Sequence, residues 1–308
     1  MNESILITGA NAGLGKETAR QLAMKDETKK VILFCRNREK AEAAQKDLET
    51  RTKKKIFEIV IGDVSNAHSV RKAVEDIREP IDVIILNAGG MIGGKANNRT
   101  PSGMNELAAT NILGHVVLVE ELIKRDKLKK VVLFVSAEAV PGVKSLGMKP
   151  VTMKTSSVPE FSSVLDGNYF AGKFDATQAY GYVKYVGTMW ALSMARKYPS
   201  LKFMAVSPGN TKGTGAPNSL PPAMRFMLTY VMMPIVFPLM GEMVHKLEVG
   251  VRRFVDAISE ERYKSGVFYA SREGKLAGEM VDQSTFFTEL KNTAAQDNAS
   301  EAIHQFMN

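Results

Sequence analysis

Tyr180 and Lys184 stand four residues apart in the run AYGYVK (179–184). On a helix that spacing puts both side chains on one face, while Tyr182 points elsewhere. A phenol is a poor acid at neutral pH, but an adjacent ammonium favours its phenolate, so the pair could exchange a proton with a substrate. Tyr-x-x-x-Lys occurs by chance in many helices, so the pair gains meaning only from its surroundings.

A second cluster lies near the N-terminus. TGANAGLGK (8–16) follows an apolar strand-like run and opens a helical one. There Gly9 permits a sharp turn, Gly13 lets backbone approach a ligand, and Gly15 allows close helix packing, leaving a helix N-terminus to meet a phosphate. FCRN (34–37) ends the next strand-like run. NAD-binding folds usually place an acid here for the ribose hydroxyls; this chain has neutral Cys35 followed by Arg36 and Arg38. A guanidinium suits a phosphate, so NADP(H) is the expected dinucleotide. Asp63 in GDV (62–64) could bond an adenine amino group, and NAGG (87–90) leaves room for a flat ring or ribose. Both stretches are equally ordinary turn chemistry.

The elements that must position these groups alternate along the chain. SILIT (4–8), KVILFC (30–35), IFEIVIG (56–62), DVIILN (82–87), KVVLFVS (130–136), LKFMAVS (201–207) and GVFYA (266–270) read as strands. Helical patterns over 14–25, 37–50, 66–78, 103–125 and 176–198 separate the first six. Apolar strands with helical crossovers predict a doubly wound parallel α/β sheet, a Rossmann fold, with ligands beyond the carboxyl ends of the strands. Residues 1–308 read as one domain. A long connector at 137–175 precedes the helix of Tyr180, and a Pro-, Gly- and Met-rich stretch follows the sixth strand, so that 208–245 is expected to form a substrate lid. Residues 286–308 read as a weak polar helix prone to fraying.

Composition narrows the function. The 44% apolar content supports a sizeable core. The single cysteine cannot form an internal disulfide and fits a reducing compartment, so a cytoplasmic location is expected. The first residues run at once into SILITGANAG, and no leader is expected. FMLTYVMMPIVFPLMG (226–241) is short for a membrane span and is broken by Pro234 and Pro238, although peripheral membrane contact is compatible with it. The net charge of +8 is concentrated in RTKKK (51–55) and KRDKLKK (124–130), which read as solvated helix ends; no nucleic-acid partner is expected. The four histidines are scattered without paired ligand spacing, so no metal site is expected.

Taken in order, TGANAGLG, NAGG, Asn111 in ATNILG, Ser136 in FVS, Tyr180 with Lys184, and SPG (207–209) resemble the short-chain dehydrogenase/reductase family over roughly residues 4–270. The resemblance implies roles. Tyr180 would be the proton donor to a substrate oxygen, and Ser136 would hydrogen-bond that oxygen. Lys184 would lower the Tyr180 pKa and hold a nicotinamide ribose, and Asn111 would maintain a water-linked proton path. By the same resemblance the cofactor would touch Gly9, Asn11, Gly13, Leu14 and Gly15, then Arg36 and Asn37, Asp63 and Val64. It would also meet Asn87, Ala88 and Gly89, and finally Pro208, Gly209 and Thr211 beside Tyr180 and Lys184.

Within the family, DGNYFAGKFDATQAYGYVK (166–184), PGNTKGTG (208–215) and SGVFYAS (265–271) are most similar to the light-dependent protochlorophyllide reductase branch, and VILFCRN also to the retinol-dehydrogenase-like branch. The pigment enzymes carry a cysteine at what looks like Val186 here. The leading expectation is an NADP(H)-dependent oxidoreductase acting on the carbonyl/hydroxyl pair of a bulky lipophilic substrate. A C=C reductase and a non-catalytic NADP(H)-binding sensor or scaffold are the alternatives. Relatives that associate through the helices of the Asn and Tyr–Lys motifs imply a homodimer.

Overall fold

The computed structural model describes residues 2–92, 96–143, 147–170, 172, 175–212, 226–236, 239 and 241–307. Its centre is an eight-stranded sheet of order β3-β2-β1-β4-β5-β6-β7-β8. The strands are β1 (Ser4–Thr8), β2 (Lys30–Cys35), β3 (Phe57–Ile61), β4 (Ile81–Leu86), β5 (Leu128–Val135), β6 (Lys202–Val206), β7 (Val267–Ser271) and β8 (Met280–Asp282). The first seven run parallel, and β8 closes the edge antiparallel to β7.

Both faces of the sheet are covered, which is why its strands are apolar almost without a break. Leu6, Ile84, Val132, Phe134 and Phe203 point into one buried layer, and Ile5, Ile7, Ile85, Leu133 and Met204 into the other. Helices α1 (Gly13–Ala23), α2 (Arg38–Thr52) and α7 (Leu247–Ser259) cover the second layer. The first is covered by α3 (Ala67–Glu75), α4 (Gly114–Lys124), α6 (Ala176–Lys197) and α8 (Thr293–His304). A helical turn at Glu106–Ala108 and a wider π-turn at Ala109–Leu113 lead into α4.

The doubly wound sheet matches the sequence expectation, but the short antiparallel edge strand β8 lies beyond the seven strands expected, and three helical elements also depart from it. Inside the expected connector, Val158–Asp166 forms α5, entered from Ser157 with a proline in its first turn and closed by Gly167 at φ 89°. These are ordinary start and stop signals, but the helix between them is only nine residues long and carries a short apolar pattern. Residues 144–146, 171, 173 and 174 of that connector lie outside the described residues. Helix α7, absent from the sequence reading, has a clear apolar face ending in Phe254 and Ile258. The C-terminal helix does not fray. Asn292 caps α8, and Ala295, Ala299, Ala302 and Ile303 are buried against α5 and α6. Polar ties to Arg196, Ser193 and Glu120 explain why so polar a segment docks.

The expected lid is described only in part, since 213–225, 237, 238 and 240 lie outside the described residues. The π-helical segment Leu228–Val236 leaves Tyr230, Val231 and Ile235 exposed, with Phe226, Met227 and Leu239 exposed beside it. Met232 faces inward onto Val143, Met243 and Leu276.

Candidate active site

The site is built from the loops at the carboxyl ends of β1, β4, β5 and β6. Thr8 ends β1, and Gly9 turns the chain at φ 68° while its N–H donates to Phe34 O of β2 (2.8 Å). A Cβ on Gly15 would lie 2.5 Å from both Gly9 O and Asn87 Nδ2, so only glycine fits where α1 passes its own turn. Gly13 is the reverse case: its φ is +52° and, apart from its own chain neighbours and helix backbone, nothing lies within 4 Å of its Cβ position. Ala12 offers no side-chain cap, and the first turn of α1 carries no acid. This leaves a helix end without a side-chain cap and with open space at Gly13. Those features fit the pyrophosphate of a dinucleotide, with Asn11, Gly13, Leu14 and Gly15 supplying backbone.

At the end of β2, Arg36 is 76% exposed and its Nη1 lies 3.7 Å from Asp63 Oδ2. An exposed pair at that distance contributes at most about 1 kcal/mol. A guanidinium bonded to a phosphate gains about 1.5–3 kcal/mol, so Arg36 is free to exchange partners. The other Asp63 oxygen accepts from Ser65 N and Oγ (2.9 and 2.7 Å). Asn37 is a helix cap whose Oδ1 accepts from Lys40 N. Val64 is 9% exposed, and its carbonyl receives the Gly114 amide of α4 at 2.8 Å. Asn37 and Val64 are therefore tied to helices α2 and α4.

The loop after β4 is clamped from both sides. Asn87 Nδ2 donates to Thr8 O (2.9 Å) and Ala88 N to Thr8 Oγ1 (2.9 Å). Asn111 Oδ1 accepts from Gly90 N (2.9 Å), and its Nδ2 donates to Gly90 O (3.0 Å) and Leu107 O (2.8 Å). Gly89 sits so close that a Cβ would meet Asn111 Oδ1 at 2.5 Å. The Asn111 side chain thus divides its bonds between this loop and Leu107 O of its own turn, and its main-chain carbonyl, in the π-turn, lies 3.1 Å from His115 Nδ1.

Helix α6 brings Tyr180 and Lys184 together, as their spacing requires. Lys184 Nζ lies 5.7 Å from the Tyr180 ring centre and 5.2 Å from that of Phe134. It is fully buried and donates to Val135 O at 2.9 Å. Burial pushes the Lys184 pKa down to about 7. Burial also raises the Tyr180 phenol above its ordinary value. Without ligand, then, the ammonium does not produce the depressed phenol pKa expected of the pair. An acceptor carbonyl and an aromatic face hold Lys184 instead. Tyr182 is structural: its hydroxyl donates to Thr152 O (3.2 Å) and its ring packs on Tyr169 and Phe170.

Ser136 Oγ pairs with Thr188 Oγ1 at 2.7 Å, one turn beyond Lys184, and Thr188 donates to Lys184 O (2.8 Å). The serine is buried, so in this geometry its hydroxyl ties β5 to α6. After β6, Pro208, Gly209 and Thr211 form a tight knot. Thr211 Oγ1 lies 3.2 Å from the carbonyls of Pro208 and Gly209, and His245 Nε2 meets Pro208 O (2.7 Å) and Thr211 Oγ1 (3.1 Å). The knot ends the lid at both sides, since Thr211 bridges His245 in parallel.

Three groups here were not legible as site residues. His245 belongs to the knot just described. The buried Arg253 of α7 donates to Glu138 Oε1 (3.2 Å), Ser207 O (3.2 Å), Ser271 Oγ (2.8 Å) and Gly278 O (2.8 Å), gathering the ends of β5, β6 and β7. Only tertiary contact reveals it. His115 is completely buried between Thr8 Oγ1 (3.0 Å) and Asn111 O (3.1 Å). Its place four residues after Asn111 was the available signal.

Residues 3–145 match the family profile described as short chain dehydrogenase. The chain is 30% identical over 308 residues to the chloroplastic protochlorophyllide reductase of Daucus carota, covering 91% of this chain and 74% of that protein. It is 28% identical over 223 residues to the Bos taurus dehydrogenase/reductase SDR family member 12, covering 71% of this chain and 63% of that protein. A shorter match, 36% over 131 residues, links it to Homo sapiens retinol dehydrogenase 13, of which it spans 38%. Among solved structures, salutaridine reductase of Papaver somniferum superposes with a TM-score of 0.61 at 17% identity, covering 87% of this chain and 100% of that one. The fold, the glycine-bounded cradle, the Tyr180–Lys184 pair and the match along nine-tenths of the chain converge: this chain belongs to the short-chain dehydrogenase family of oxidoreductases.

Proposed function

We propose that the chain is an NADP(H)-dependent oxidoreductase that interconverts a carbonyl and a hydroxyl on a bulky lipophilic substrate. The reading is carried by Tyr180 and Lys184 standing together at the carboxyl end of the sheet, beside an open, uncapped helix N-terminus. Bound NADP(H) would supply or accept the hydride. Tyr180 exchanges the proton at the substrate oxygen, Lys184 holds charge beside it, and Asn111 keeps the loop after β4 in register. A Lys184 pKa near 7 leaves the residue responsive: an anion entering the cleft draws the proton onto it, and the ammonium then stabilises the Tyr180 phenolate. Ser136 reaches the substrate oxygen by exchanging its bond to Thr188.

NADP(H) is favoured over NAD by Arg36 at the end of β2 where an acid would repel a 2′-phosphate. A carbonyl reductase from chicken fatty liver, solved with NADPH bound, shares the fold with a TM-score of 0.58 at 19% identity. The exposed apolar segment around Tyr230 and Leu239 supports a lipophilic substrate, and equally contact with a membrane surface. A reducing, cytoplasmic setting fits the lone buried thiol of Cys35, whose pKa burial raises to about 11. Among the described residues no helix is long and apolar enough to cross a membrane. Pairing of two copies would need a face other than α6, on which α5 and α8 pack.

Reduction of a C=C bond is the second reading, favoured by the match to the carrot reductase over 308 residues. Against it, Val186 is fully buried in the core of α6, so that position offers nothing to a substrate here.

Calorimetric titration of NADPH and NADH into the wild type and Arg36→Ala tests the assignment. NADPH is expected to bind at least about tenfold more tightly, with the preference lost in the variant, as for one charge-assisted contact. Equal binding would remove the NADP(H) preference. Binding of neither would remove the oxidoreductase reading, and binding without turnover on a carbonyl panel would leave a dinucleotide sensor.

A further inference from the structure

Four motifs meet at a side chain that the reading above leaves without a role. The imidazole of His115 has Thr8 Oγ1 at 3.0 Å from Nε2 and Asn111 O at 3.1 Å from Nδ1. Thr8 Oγ1 also receives the Ala88 amide, and Asn111 clamps Gly90. The ring stands edge-on to Phe134, centroids 6.4 Å apart, and Phe134 is the ring over which Lys184 lies. We infer that His115 is a positioning residue of this site. As the neutral, Nδ1-protonated imidazole it holds the Asn111 carbonyl and the Thr8 hydroxyl, fixing the loop after β1 against the Asn111 turn and Lys184.

The tautomer follows from the partners. A carbonyl can only accept, so Nδ1 carries the proton, and Nε2 accepts from the Thr8 hydroxyl. The alternative partner of that hydroxyl, Ile85 O, lies at 3.5 Å, the limit of a hydrogen bond. The π-turn at Ala109–Leu113 widens the helix where Asn111 sits, and His115, the residue a regular turn would use to close it, closes it through its ring. Burial, then the charge of Lys184, hold the His115 pKa at about 3, with the Asn111 carbonyl opposing them. The ring therefore adds no charge beside Lys184 at any working pH.

This role deepens the NADP(H) reading and depends on it for its kinetics, but not for its geometry. Long-range 1H–15N spectra of the full-length wild type should show His115 as the neutral Nδ1–H tautomer. An Nε2–H tautomer would overturn the inference whatever the activity. His115→Asn and His115→Gln then separate the two bonds, because the Asn amide nitrogen matches Nδ1 and the Gln amide end matches Nε2. His115→Asn keeps the Asn111 link, so kcat should stay within about threefold while NADPH binds about tenfold more weakly. His115→Gln keeps the Thr8 link, so NADPH affinity should hold while kcat falls about tenfold and its pH profile shifts. Wild-type values in both variants, or losses of both quantities in step with the folded fraction, would reduce His115 to a core residue. A wild type that neither binds nor oxidises NADPH would remove the enzymatic reading and the kinetic role together, and the spectra alone would then decide the geometry.

Discussion

The loops after β1 and β4 and the segment after β6 sit at the same end of the sheet, yet they are built by opposite means. The first pair is fixed by short polar contacts among partly buried groups: Asn87 and Ala88 on Thr8, Asn111 on Gly90, and Gly15 against Gly9. Each such hydrogen bond contributes only about 1 kcal/mol, but an unmade one among buried groups costs more. A cradle of this kind has one arrangement. The segment around Leu228–Val236 instead turns Phe226, Tyr230, Ile235 and Leu239 outward and is anchored mainly by Met232 and by the His245 knot at its end. Apolar contacts without directional bonds can repack around ligands of different shape. Under the proposed function, cofactor fidelity belongs to the first region and substrate choice to the second.

That division breaks most visibly at Gly15. A Gly15→Val side chain would collide with Gly9 O and Asn87 Nδ2, so NADPH affinity is expected to fall by about a hundredfold or more. Calorimetry on a variant shown to be folded by circular dichroism is the check, and normal affinity would show the glycine cradle to be incidental.

A smaller effect sharpens the account of Lys184. Its pKa in the folded chain is lowered to about 7, whereas the unfolded chain has the ordinary value of 10.5. Between those values the unfolded state binds more protons, so folding stability rises with pH. Raising pH from 7 to 8.5 should stabilise the ligand-free protein by about 1–2 kcal/mol, one pH unit corresponding to at most about 1.4 kcal/mol. Lys184→Met should remove this contribution and flatten the slope in denaturant melts, and an unchanged slope would mean that Lys184 keeps its proton when buried.

The smallest expected change lies in the lid. Replacing exposed Phe226 and Leu239 by serine should raise KM for an apolar carbonyl about threefold to tenfold, with NADPH affinity unchanged. If cofactor affinity moved as well, the two regions would not be separable.

How much of this was legible in the sequence follows the same division. The sheet, its order of elements and the glycine turn could be read because buried parallel strands and helix starts write themselves into consecutive residues. Tyr180 and Lys184 were legible because one helix carries both. Arg253 was not, since its partners Glu138, Ser207, Ser271 and Gly278 come from separate loops. The docking of the C-terminal helix is not legible in the sequence because its binding face is mostly alanine, which carries little periodic signal, and its polar ties belong to other helices. The sequence pattern singles out Ser136 and Thr211, but their bonds to Thr188 and His245 join separate elements and leave no trace in local pattern.

The central claim is that Tyr180 handles the proton while the cradle handles the dinucleotide. The most direct measurement is single-turnover oxidation of NADPH by a lipophilic carbonyl, comparing the wild type with Tyr180→Phe at matched cofactor saturation. The account expects the variant to bind NADPH as the wild type does and to lose about 10²–10⁴-fold in rate, the range for removing a positioned acid. Equal rates in the two proteins would contradict it.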